Sequence, residues 1–182
     1  MNKKIKKIVL CSLFSALTFL FTAYLKIPAS MGQYIHAGDA IILISSCILP
    51  FPLGPIAGLI GGSLADLLTG YAYWAPFTAI IKFSIASIFS NKGSNIFNLN
   101  NILKSLLSGL ISITGYYLAT LIIIYFSLGE YGTESKSLTN LIYIAAIDSL
   151  PANLLQALVT IAFFCILAKA LDKIEIKKHL ER

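Results

Sequence analysis

Apolar residues run through this chain in long blocks, and polar residues collect in the gaps between them. The first block covers about Ile5 to Leu25 and ends at Lys26, Pro28 and Gly32, with a loop onward to His36. A second block starts near Gly38-Asp39, covers 38–50 and stops at Pro50-Phe51-Pro52. A third, shorter block covers 53–68 and leads into the aromatic connection Thr69-Gly-Tyr-Ala-Tyr-Trp-Ala75. Pro76, well suited to the first turn of a helix, opens a fourth block over 76–90. An Asn-rich linker precedes a fifth block over 102–126, and a polar loop with Glu130 and Glu134 precedes a sixth over 138–171. The sixth is longer than one crossing needs and contains Pro151, which predicts a kink or a short interfacial helix before the true span. At roughly 20 apolar residues per crossing, the pattern predicts an all-α membrane protein. It has six transmembrane helices in a single domain over 1–182.

Composition agrees: 57% of the 182 residues are hydrophobic and 12% charged, and the mean hydropathy is +0.82. Soluble domains carry about 25% charged residues, so an ordinary cytosolic enzyme, a disordered chain and a nucleic-acid module are excluded. The net charge of +6 reflects topology instead. Lys3, Lys4, Lys6, Lys7, Lys92, Lys104, Lys169, Lys173, Lys177, Lys178 and Arg182 fall on one side of the predicted membrane, and only Lys26 and Lys136 on the other. Basic residues stay on the cytoplasmic side, so both termini are expected there. The basic start imitates a signal peptide, but no small-x-small cleavage pattern follows before Pro28, and the run reads as a retained span. Cys11, Cys47 and Cys165 lie in apolar runs without metal spacing and read as inert thiols.

Ionisable residues inside a span cost about 2.5–3.5 kcal/mol each on insertion scales. Asp39, Asp66, Lys82 and Asp148 therefore each call for a reason. All four fall towards the outer half, as the wall of a cavity open to the exterior would require. Each also has a simpler reading. Asp39 can cap its helix, Lys82 can snorkel or pair with Asp66 or Asp39, and Asp148 can be solvated at the interface. Gly54, Gly58, Gly62 and Asp66 recur every four residues, a slowly drifting helical stripe that admits a close neighbour and ends in a carboxylate. Tyr71, Tyr73 and Trp74 are either an interfacial belt or a lid that stacks on a planar ligand. Asn153, Gln156 and Thr160 share one helix face, and their donors and acceptors suit the edge of a heterocycle. Ser12 and Ala16, four apart, form a small-residue face near the cytoplasm that fits docking to another membrane subunit. Gly61-Gly-Ser63-Leu-Ala65 only grazes a nucleophile elbow. No metal-ligand or phosphate-loop motif occurs, so no catalytic residue, metal or cofactor is assigned and the chain is read as a non-enzyme.

These segments together resemble the substrate-binding membrane subunits, or S components, of energy-coupling factor (ECF) vitamin transporters. Gly38-Asp39, Gly54-Pro55-x-x-Gly58, Gly61-Gly62, Ala65-Asp66-Leu-Leu-x-Gly70-Tyr71 and Pro76 to Lys82 are similar to the central signature of the riboflavin-type branch, which includes pyridoxine and hydroxymethylpyrimidine members. Pro151-x-Asn153-x-x-Gln156 resembles that branch's last helix. The resemblance implies a six-helix subunit in a bacterial cell membrane that binds a vitamin or vitamin precursor from outside. A B6-like or thiamine-precursor heterocycle is favoured, and riboflavin comes next. It also implies docking through span one on a transmembrane coupling subunit driven by two cytoplasmic ATPases. The family's usual A-x-x-x-A motif begins here with Ser12, a small but polar departure. The alternative from another class is a self-sufficient carrier using Asp66, Lys82 or Asp148 as a proton relay.

Overall fold

The computed structural model describes residues 2–29, 34–127 and 138–181. Gly32, Glu130, Glu134, Lys136 and Arg182 lie outside them. The described elements run α1 (Lys3–Ala23), β1 (Lys26–Pro28), β2 (Tyr34–His36), α2 (Gly38–Ile48), α3 (Leu53–Leu68), α4 (Ala75–Ser87), α5 (Leu99–Ser127), α6 (Leu138–Lys173) and α7 (Ile176–Glu181).

The helices follow the apolar blocks, and proline and glycine punctuate them as expected. Pro76 sits in the first turn of α4, where its missing N–H costs nothing. Gly70, at φ 89°, closes α3 with the Tyr71 N–H donating to the Asp66 carbonyl at 2.9 Å. That left-handed cap bond ties the aromatic connection to the helix turn that carries Asp66. Helix α6 passes through Pro151 as one element, so of the two expected outcomes, a kink or a separate interfacial helix, the second is not what forms. Neighbouring helices make such prolines tolerable in membrane bundles.

Two expectations need adjusting. The loop between the first two spans contains a short antiparallel hairpin, with Lys26 opposite His36 and Pro28 opposite Tyr34, so the chain is not purely helical. The helices also fall into two length classes. Helices α1, α5 and α6 contain stretches long and apolar enough to cross a membrane, whereas α2, α3 and α4 are shorter apolar helices of 11, 16 and 13 residues. At 1.5 Å per residue, α2 covers only about 16 Å of a hydrocarbon core about 30 Å thick.

The glycine stripe explains how the short helices pack. A Cβ on Gly54 would lie 2.5 Å from the Ser46 Cα, and one on Gly58 2.5 Å from the Ile42 side chain, both on α2. Further along, a Cβ on Gly62 would lie 3.1 Å from the Lys82 Cγ on α4. The stripe drifts by about 40° every four residues, so it faces α2 first, then α4. Gly61 faces the other way, against Ser15 and Thr18 of α1. Below the stripe lies an apolar core that includes Leu43, Ile44, Ile85, Phe89 and Phe164.

Candidate functional site

At the hairpin end, seven elements or connections converge on one cavity of about 440 Å³, its open mouth included. Thr22 comes from α1, Tyr34 and His36 from β2, Asp66 from α3 and Trp74 from the turn before α4. Thr78 and Lys82 come from one face of α4, Tyr116 from α5, and Asn153 and Gln156 from α6. Asp39 of α2 lies behind Lys82.

The best-anchored feature is the ion pair. Lys82 Nζ lies 2.7 Å from Asp39 Oδ1 and 2.9 Å from Oδ2, and both residues are 1% exposed. Of the two carboxylates open to it in the sequence, Lys82 takes Asp39. The Gln156 amide donates to the same Asp39 at 3.2 Å, and the ammonium lies 4.9 Å from the centre of the Tyr116 ring. Removing one member of such a pair strands a charge in a low-dielectric interior.

Asp66 has another partner. Its Oδ1 accepts a short hydrogen bond from the Tyr34 hydroxyl. Burial and the nearby Asp66 charge push the Tyr34 phenol well above its ordinary range, so it stays a neutral donor. The Tyr34 ring packs 4.9 Å from Tyr71. Lys26 Nζ sits 4.7 Å from the centres of both rings and donates to the Thr69 hydroxyl at 3.0 Å. The hairpin is thereby pinned to the C-terminal end of α3 by two hydrogen bonds, one tilted ring contact and a cation over both rings.

A second pin holds the hairpin to α6. The Gln156 side chain pairs with the His36 backbone in both directions, accepting from its N–H at 2.8 Å and donating to its carbonyl at 3.0 Å. The His36 imidazole accepts from the Gly38 N–H at Nδ1, 3.0 Å away, which leaves the proton on Nε2. Burial pushes the His36 pKa down to about 4, so the ring is neutral near pH 7.

Polar atoms of the lining remain without partners. The indole Nε1 of Trp74, the amide Nδ2 of Asn153 and Asp66 Oδ2 are buried and lack a hydrogen bond of normal geometry. An unmade bond on a buried group costs about 1–3 kcal/mol. Two donors and one acceptor around one cavity are the complement of a small molecule carrying acceptors and a donor.

Among the residues singled out from sequence, Asp66, Trp74, Lys82, Asn153 and Gln156 line this cavity, and Asp39 backs it. Tyr71 stands behind Tyr34. Tyr73 is 51% exposed, whereas Trp74 is 5% exposed, so the three aromatics do not share one environment. Most of the Gln156 amide is spent on His36 and Asp39 rather than left for a ligand. Asp148 is half-buried and is not among the lining residues. Ser12 and Ala16 are exposed on α1, while Cys11 and Ser15 turn inward. Sequence reasoning missed Tyr34, His36, Thr22, Thr78 and Tyr116. A lone histidine or tyrosine in a loop has no spacing to betray it. Thr78 carried a usable signal, since it lies one turn from Lys82 on the same helix face.

The comparisons with known proteins point the same way. The family described as ECF-type riboflavin transporter, S component, matches residues 2–173. A relative from Pyrococcus woesei, described as an uncharacterized protein in the gap 3′ region, is 36% identical over 93 residues. That alignment covers 50% of this chain and 60% of the relative, so the chain spans about three fifths of the relative's length.

Proposed function

The chain belongs to the S component family of ECF-type riboflavin transporters, and on that premise we propose that it captures a one-ring, hydroxylated nitrogen heterocycle from outside the cell. It is a membrane protein and a substrate-binding subunit of transport. In the proposed reading the hairpin end faces outward and the lysine-rich end faces the cytoplasm, with six helical crossings between. A B6-like or thiamine-precursor pyrimidine is the favoured substrate, with riboflavin as the rival.

The supporting observation is the set of unpaired polar atoms, Trp74 Nε1, Asn153 Nδ2 and Asp66 Oδ2, in one aromatic-walled cavity. A pyridine or pyrimidine with hydroxymethyl groups offers ring-nitrogen and hydroxyl acceptors to the two N–H groups and an O–H or N–H donor to the carboxylate. Trp74 and Tyr116, with ring centres 6.0 Å apart, supply faces for a flat ring. The close walls set by Tyr34, Trp74 and Tyr116 around these polar atoms favour a compact flat ligand in the proposed reading.

Calorimetric titration of the purified chain with pyridoxine, hydroxymethylpyrimidine and riboflavin tests the reading. A one-ring ligand should bind with Kd of about 1 µM or tighter, near −8 kcal/mol, and riboflavin far more weakly. The reverse order would replace the substrate but keep the subunit's role. Concentrative, proton-driven uptake by the chain alone in liposomes would instead establish the self-sufficient carrier.

Docking is proposed through the exposed Ser12 and Ala16 face of α1. Ala16→Leu should leave ligand affinity unchanged and abolish uptake in cells that also express the coupling subunit and the two ATPases. Normal uptake would move the docking face elsewhere.

A further inference from the structure

At the opposite end of the bundle, the start of α1, the end of α2 and α7 enclose a second cleft of about 1090 Å³, open solvent included. It shares no lining residue with the site above. Lys6 and Lys7 each lie three or four residues from both Lys3 and Leu10, and the four line it together, so they form one face of α1. This face changes from cationic to apolar over about 10 Å of helix rise. Across from it, Lys177 is held by the carbonyls of Asn91 at 3.3 Å and Gly93 at 3.0 Å, and the half-buried Ile48 and Leu180 add apolar surface. Among the described residues that line it there is no carboxylate, and the first turn of α1 contains none.

We propose that this cleft binds the headgroup of an anionic phospholipid from the cytoplasmic leaflet, with its phosphate among Lys3, Lys6 and Lys7 and the top of an acyl chain against Leu10 and Ile48. Basic pockets between helices on the cytoplasmic side suit such headgroups. The apolar floor distinguishes a lipid from a free anion, because inorganic phosphate has nothing to place there. Ser12 and Ala16 point away from this face of α1, so lipid binding and docking through them do not compete. The proposal does not depend on which substrate the outer cavity takes.

Native mass spectrometry of the full chain, titrated with phosphatidylglycerol or phosphatidylcholine of matched acyl chains, tests it. Phosphatidylglycerol should bind with at least about tenfold preference and resist millimolar inorganic phosphate. The double variant Lys6→Gln/Lys7→Gln should lower its affinity by about 30-fold, from the usual contribution of a lysine near an anionic surface. Lys4→Gln/Lys92→Gln, with the same charge change outside the cleft, should lower it by no more than about threefold, as expected of exposed charges. Equal binding of the two lipids by the wild type would overturn the proposal. So would displacement by phosphate, which means a free-anion site, or an equal loss in the Lys4/Lys92 variant, which means diffuse surface charge.

Discussion

One face of α6 runs the length of the bundle and changes character on the way. Asn153, Gln156 and Thr160 come first, at the cavity, and Phe164 and Ala168 follow, both fully buried. Helices α2 and α4 do the same, passing from Asp39 to Leu43, Ile44 and Cys47, and from Thr78 and Lys82 to Ile85 and Ala86. The two ends are thus built from the same helices under different rules. The lower core is close-packed and apolar, where each side chain contributes through contacts and exclusion of lipid or water. The upper end buries an ion pair, a histidine and polar atoms without partners, which lowers its stability and leaves it able to bind. Stability and recognition are separated along the helix axis, so substitutions at the two ends should separate them in measurement.

The largest effect is expected at Lys82. Lys82→Ala leaves Asp39 as an uncompensated buried charge and should cost about 3–5 kcal/mol of stability along with measurable ligand binding. Replacing the pair together, as Lys82→Met with Asp39→Asn, should restore much of the thermal stability and none of the affinity. Wild-type affinity in that double variant would remove the pair from the binding site.

Phe164→Ala attacks the other end. It should lower stability by about 3–5 kcal/mol while ligand affinity per folded molecule stays within about twofold, as expected for distant sites. Loss of affinity comparable to that of Lys82→Ala would show that the two ends are coupled.

Trp74→Phe sharpens the contrast. It deletes a buried N–H that has no partner, so thermal stability without ligand should hold or rise. Affinity should fall by about 10-fold, one lost hydrogen bond to ligand. A matching loss of stability would mean that the indole serves packing alone.

The most gradual effect concerns pH. The His36 imidazole has a folded pKa of about 4 against an ordinary 6.5 or so. Between those values the unfolded chain takes up a proton that the folded chain refuses, so stability falls as pH drops from 6.5 towards 4 and is fully present above that window. The thermal midpoint should therefore decline through this range. His36→Gln, which keeps an acceptor for the Gly38 N–H, should flatten the decline by close to one proton. An unchanged slope would place the titration on other groups.

Much of this protein is legible in its sequence, because membrane insertion leaves only a few solutions. Apolar runs, prolines and glycines located the six longer helices to within a few residues, since a backbone in lipid must satisfy its own hydrogen bonds. The rarity of charge in such runs marked Asp39, Asp66 and Lys82 before any geometry was known, and four-residue spacing put Gly54, Gly58 and Gly62 on one packing surface. Spacing along one helix cannot say which neighbour a side chain meets. The tertiary structure decided that Lys82 pairs with Asp39, that Tyr34 takes Asp66, that Gln156 clamps the His36 backbone 120 residues away in sequence, and that Trp74 turns in while Tyr73 turns out. Those choices depend on the helix-to-helix distances that the glycines permit and on where a three-residue strand settles against α3 and α6. Both are properties of contacts between distant segments, which no local pattern encodes.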